Sequence, residues 1–253
     1  MRGANVYISF MMVMKALLRR RIIPVLLVVI PAAFFLVIYL TTKQNMFPFR
    51  LASITKEVFL MVNARNISLV FFAIASTGFL SSFLALTLIQ KNVSVNRRLI
   101  VCGYNPVDLF FSNMLVLLLL TIAISVYITF SLTIFFAPLQ LFNVIVGLVL
   151  AGWVYGCYGL LIGSLINGEL EGILLIVLLA NIDAGWLQNP LFYADAENQI
   201  IIRYLPAFFP SQTAIIAAFS DYIVTWNILY SFLYGLILFL FANGIYYLKM
   251  KRT

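Results

Sequence analysis

The sequence predicts an all-α polytopic membrane protein with six transmembrane helices, and three observations carry that expectation. Of 253 residues, 64% are hydrophobic and only 9% charged, far below the roughly 25% charged residues of ordinary globular proteins. Several apolar runs spread along the chain exceed the ~18 to 20 residues needed to cross a ~30 Å hydrocarbon core. Each run is continuously apolar, whereas barrel strands alternate over about ten residues. A single transmembrane domain, residues 1–253, is therefore expected, with no sizeable soluble part.

The first element is a helix over residues 4–20. In "NVYISFMMVMKALLRRR", Val6, Phe10, Val13, Met14 and Leu17 fall on one helical face, with Asn5, Ser9 and Arg20 toward another. That pattern fits a helix lying in the membrane interface; the alternative is an unstructured basic anchor. A basic patch before an apolar run also opens secretory signals. Here the run at 22–41 is too long and no A-x-A site follows, so a retained first span is expected. The six spans are placed at about 22–41, 67–89, 107–136, 141–166, 170–187 and 225–248.

Between spans two and three the chain reads "VNRRLIVCGYNPVD". A short helix there puts Val95, Leu99 and Cys102 on one side and Asn96, Arg97 and Arg98 elsewhere. Gly103 is placed to stop it. Asn105 is then the cap of the next span, Pro106 its first residue and Asp108 its third, where a carboxylate favours the positive end of the helix dipole. A rigid corner is expected.

The fourth span carries "GWVYGCYGLLIG", which places Gly152, Gly156, Gly159 and Gly163 on one face, where small residues let another helix approach closely. Packing inside the bundle and a homodimer seam are the two readings. Glu169 and Glu171 open the fifth span. They face either a partner or the corner at Arg97 and Arg98, or else complement the helix dipole.

Asp183, toward the far end of that span, must meet water or a partner, because an ionised Asp at mid-helix costs about 2.5 to 3.5 kcal/mol on insertion scales. It either lines a route with Asn181 or marks the helix end. From Gln188 to Tyr222 the connection is aromatic and broken by Pro190, Pro206 and Pro210, and short helices dipping back into the membrane are expected. Tyr204, Phe208 and Phe209 are candidates for a gate or for an interfacial aromatic belt.

Basic residues set the orientation. With the N-terminus inside, Arg2, Lys15, Arg19, Arg20, Arg21, Lys91, Arg97, Arg98, Lys249, Lys251 and Arg252 are cytoplasmic, eleven in all, against five outside: Lys43, Arg50, Lys56, Arg65 and Arg203. Both termini are expected in the cytoplasm.

The net charge of +8 flanks apolar runs, where anionic lipid and topology account for it, so no nucleic-acid partner is expected. Cys102 and Cys157 share no CxxC spacing, and neither disulfide nor zinc site is indicated. The absence of histidine excludes HExxH sites, Ser-His-Asp triads and His-ligated metal. There is no G-x-x-x-x-G-K-[ST] loop. An enzyme in its own right is not expected.

The order of parts resembles the membrane subunits of type-2 ATP-binding-cassette (ABC) permeases, over nearly the whole chain. The resemblance rests on the helix ending "LLRRR", the "VNRRLIVCGYNPVDLFFSNML" segment between spans two and three, the "NGELEG" link and the "YLPAFFPSQTAIIAAF" stretch before the last span. It implies a cytoplasmic coupling helix at Val95, Asn96, Arg97, Arg98, Leu99, Gly103 and Tyr104. That helix would dock on a separate ATPase subunit present in two copies, which holds ATP and Mg2+. It also implies a second permease subunit, identical or similar, a re-entrant outer segment before the last span and residence in the plasma membrane. The implied function is export of a hydrophobic or amphipathic compound such as a drug, antimicrobial peptide or lipid-linked molecule, with no cofactor bound by this chain. One departure is that Asn96 stands where relatives often carry an acid before the basic residue.

Overall fold

The computed structural model describes residues 2–19, 22–50, 59–189 and 199–251. Arg20, Arg21, Lys56, Pro190 and Arg252, used above for orientation or chain breaks, lie outside them. The elements are α1 (Arg2–Leu18), α2 (Ile22–Thr41), β1 (Met46–Arg50), β2 (Phe59–Asn63), α3 (Ala64–Val101), α4 (Pro106–Thr133), α5 (Leu141–Leu165) and α6 (Glu169–Ile182). A π-helical turn (Asp183–Leu187) follows α6, and then α7 (Gln199–Arg203), α8 (Phe208–Phe219) and α9 (Thr225–Lys251). Among the described residues, six helices are long and apolar enough to cross a membrane, the fifth being α6 with its π turn. The chain is in this sense a multi-pass membrane protein.

The second span and the short helix expected after it are one helix. α3 runs unbroken for 38 residues, because polarity changes after Ile89 but no Gly or Pro appears until Gly103. Once nucleated, a helix propagates through polar residues as readily as apolar ones. Gly103, at φ 93°, ends it: Tyr104 N–H reaches Leu99 C=O at 3.0 Å and Gly103 N–H reaches Ile100 C=O at 2.9 Å, the paired bonds of a Schellman turn. Asn105 Oδ1 then accepts from Val107 N–H at 3.0 Å, with Pro106 opening α4. The rigid corner is present as expected; the separate helix before it is not.

A second difference lies between α2 and α3, where the chain forms an antiparallel hairpin that pairs Met46 with Asn63 and Arg50 with Phe59. Phe49 and Val62 point inward while Pro48 and Met61 are exposed, the two-residue alternation of a one-sided sheet. Asn63 also caps α3 by accepting from Arg65 N–H at 3.0 Å.

The core is built around α5. A Cβ on Gly159 would collide with the Ser82 carbonyl oxygen and lie 2.8 Å from Ser82 Cα, and one on Gly163 would lie 3.1 Å from Ile89 Cβ. The bare face of α5 thus lets the backbone of α3 into contact. Gly152 and Gly156 likewise admit Thr121 and Leu117 of α4. All four glycines are buried against helices of their own chain, so this stripe is an internal seam.

α2 and α9 are peripheral, with only 17% of each spanning window buried; their apolar outer surfaces suit lipid. α1 packs through Val13, Met14 and Leu17, but Ser9 lies on this inner side as well, bonded to Ser112 at 2.8 Å. Its placement on the polar face is corrected: a short hydroxyl with a buried partner is accommodated among apolar neighbours.

Candidate functional site

Lys91, Arg97, Arg98 and the ends of α1 and α9 gather at one end of the bundle, here the basic end; the hairpin marks the other. Four side chains at the basic end tie the helices together, three of them from α3 and one from α9. Asn96 is buried, and its Nδ2 donates to Tyr246 Oη of α9 at 2.9 Å. Gln90 Nε2 donates to the carbonyls of Ile166 and Gly168 at 3.3 and 3.2 Å. Lys91 Nζ pairs with Glu169 at 3.2 Å, and Lys249 Nζ of α9 donates to the Ser164 carbonyl at 2.9 Å.

Of the corner residues singled out in the sequence, Val95, Arg97, Arg98 and Gly103 are exposed, and Leu99 and Tyr104 are half-buried. Asn96 is turned inward, onto Tyr246. Glu169 meets Lys91 rather than Arg97 or Arg98, and the Glu171 carboxylate lies over Gly168 at the start of α6. Both acids stand in the first turn of α6, where they complement the helix dipole.

The second cluster lies inside the bundle. Asp183 is 5% exposed, and three donors reach its carboxylate: Tyr155 Oη at 2.6 Å, Ala207 N–H at 2.9 Å and Gln188 Nε2 at 3.1 Å. Gln188 is placed by the π turn, in which its N–H bonds to the Asp183 carbonyl at 3.1 Å. Tyr155 comes from the middle third of α5, and Gly78 of α3 makes room for it, since a Cβ there would sit 2.9 Å from the Tyr155 ring. Ala180, Ala184 and Ala207 complete the wall. Ala207 precedes α8, so the carboxylate stands at the positive end of that helix.

Asp183 thus meets a set of protein partners. Asn181 is exposed, on an open groove of about 490 Å³ with Leu174, Val177, Leu178, Ile182 and Trp186. The three aromatics are divided as well. Phe208 is buried with Ile202, and Phe209 packs beside it and 5.2 Å from Tyr230, whereas Tyr204 is exposed. The described residues of this segment form two short helices, α7 and α8.

Sequence reasoning missed Tyr155, Gln188, Tyr246 and Gln90 as partners. Tyr155 sat within the glycine-rich face of α5, where a ring hydroxyl headed for the core needs an acceptor, and that was the available signal. No protein-family model and no curated protein sequence matches the chain.

Proposed function

We propose that this chain is the membrane subunit of a type-2 ABC exporter. It moves a hydrophobic or amphipathic compound out of the cytoplasm, together with a second permease subunit and two copies of an ATPase subunit that hydrolyses ATP with Mg2+. The observation that carries the reading is the unbroken α3. Its 38 residues measure about 57 Å at 1.5 Å per residue, nearly twice a ~30 Å hydrocarbon core. The stretch beyond Ile89, about 18 Å long at 1.5 Å per residue, carries Lys91, Arg97 and Arg98.

A helix so long, closed by the Gly103 turn and the Asn105–Pro106 cap, carries a push at its tip directly into the bundle core. The exposed Val95, Arg97 and Arg98, with Leu99 and the Gly103–Tyr104 turn, are the docking surface. Asn96, Gln90 and Lys91 transmit the displacement to α9 and to the α5–α6 link. On this reading the basic end and both termini are cytoplasmic, the membrane is the plasma membrane, and α7–α8 is the re-entrant segment near the outer surface.

Co-purification from the native membrane tests the proposal. The chain is expected to bring down an ATP-hydrolysing subunit, and the double reversal Arg97→Glu with Arg98→Glu to release it while the permease stays membrane-inserted. If the unmodified chain recruits no ATPase, the reading fails in favour of a channel or scaffold without ATP coupling.

A further inference from the structure

α8 is held differently at its two ends. At its C-terminal end the α4–α5 turn grips it through backbone: Leu139 N–H donates to Ala218 C=O at 3.1 Å and Gln140 N–H to Ala217 C=O at 2.9 Å. Gln140 Nε2 adds a bond to Ser220 C=O at 2.8 Å. Along its length it meets α5 where Gly147 faces Ala214, a contact so close that a Cβ on Gly147 would lie 2.8 Å from Ala214 N.

The N-terminal end, by contrast, is seated on Asp183, through Ala207 N–H, and on Gln188, whose Oε1 is 3.5 Å from Ser211 Oγ. Two small residues make a smooth track, and a backbone-pinned end makes a pivot. The opposite end rests on one carboxylate that α5 and α6 also grip.

We infer that Asp183 is a positioning residue for a gate: its carboxylate seats the N-terminus of α8, and outward opening is the lifting of that end from Asp183 about the pivot at Leu139 and Gln140. The seat is a property of this chain alone, whereas its use as an outer gate rests on the export reading. Bulk packing would be served by apolar side chains. A buried carboxylate satisfied by three donors from three segments is instead a discrete, releasable contact, because breaking it strands every partner at once.

The test is side-specific thiol labelling of the full chain in membrane vesicles, with Cys157→Ala in the background. Thr213→Cys is the reporter on α8, at a fully buried position whose hydroxyl donates to the Phe209 carbonyl of its own helix. Ser125→Cys in α4 is a buried bystander, and the native exposed Cys102 reports the basic end.

With Asp183→Asn, labelling of the α8 reporter by an impermeant maleimide from the side opposite Cys102 is expected to rise by roughly tenfold or more, the effect of removing a charge-assisted bond from the closed state. The bystander and Cys102 are expected to be unchanged. Unchanged labelling of the α8 reporter in an inserted variant overturns the seat. An equal rise at the bystander overturns it too, because the whole bundle has then loosened. Selective opening in a chain that recruits no ATPase keeps the seat and removes the export reading.

Discussion

Asn96 Nδ2 donates to the hydroxyl of Tyr246 at 2.9 Å across 150 residues of sequence, joining the basic-end extension of α3 to the last long helix. The ring of Tyr246 also packs 5.1 Å from Phe110, so Tyr246→Phe removes the bond and keeps the packing. Either Tyr246→Phe or Asn96→Ala leaves a buried polar atom without its partner, at a cost of about 1 to 3 kcal/mol. The double variant is expected to lose less than the sum, by about 1 kcal/mol of coupling. Thermal unfolding of the four proteins in detergent measures the cycle; strict additivity would mean that the bond contributes nothing to holding α3 on α9.

Two glycines predict opposite outcomes for the same substitution. Gly159→Ala drives a methyl into the backbone of Ser82, which cannot rotate away as a side chain would, and is expected to cost about 3 kcal/mol or to part α5 from α3. Gly244→Ala in α9 meets nothing within 4 Å among the described residues and is expected to be neutral or to stabilise by up to about 1 kcal/mol, the helix propensity difference. Melting temperatures of the two variants, compared with the parent, check the pair.

The spans were legible because a continuous apolar run is an unambiguous demand of the bilayer, and the Gly103 and Asn105–Pro106 corner was legible because cap chemistry is local. What stayed hidden depends on partners distant in sequence. Asp183 looked like a carboxylate near a helix end; Tyr155 and Ala207, its buried donors, lie 28 and 24 residues away. Asn96 looked like part of a charged face because Arg97 and Arg98 follow it, and only α9 supplies the reason it turns inward. The junction within α3 was misread for the opposite cause: composition changes sharply there while the backbone has no reason to stop. The hairpin escaped notice because its alternation lasts five residues per strand, and Pro48 breaks the pattern.

Gln90 and Lys91 are neighbours that tie α3 to the same link by different means. The Lys91–Glu169 pair is exposed, with 39% and 53% of the side chains accessible, and such pairs contribute about 0 to 1 kcal/mol and less in salt. Gln90 instead donates to the Ile166 carbonyl, beyond the last turn of α5, and adds a second bond to the Gly168 carbonyl, which also accepts from Gly172 N–H at 3.1 Å. Gln90→Ala is therefore expected to destabilise by about 1 to 2 kcal/mol, and Lys91→Ala to have a small effect that vanishes at high salt. Unfolding temperatures at low and high ionic strength distinguish the two; a larger loss for Lys91→Ala would reverse the assignment.

Two serines of α4 provide a last contrast. Ser112 Oγ pairs with Ser9 Oγ of α1 at 2.8 Å and also donates to Leu109 C=O at 2.8 Å, whereas Ser125 Oγ is buried without a hydrogen-bond partner among the described residues. Ser125→Ala removes a hydroxyl that was desolvated for no return and is expected to be neutral or stabilising by up to about 1 kcal/mol. Ser112→Ala strands the buried Ser9 and is expected to cost about 1 to 2 kcal/mol, most of it from the hold on α1. The exposed Lys15 near the end of α1 gives a local readout. Trypsin is expected to cut after Lys15 faster in Ser112→Ala than in the parent, and at the parent's rate in Ser125→Ala. Equal cleavage in all three proteins would mean that α1 is held by its apolar stripe alone and that the serine pair is incidental.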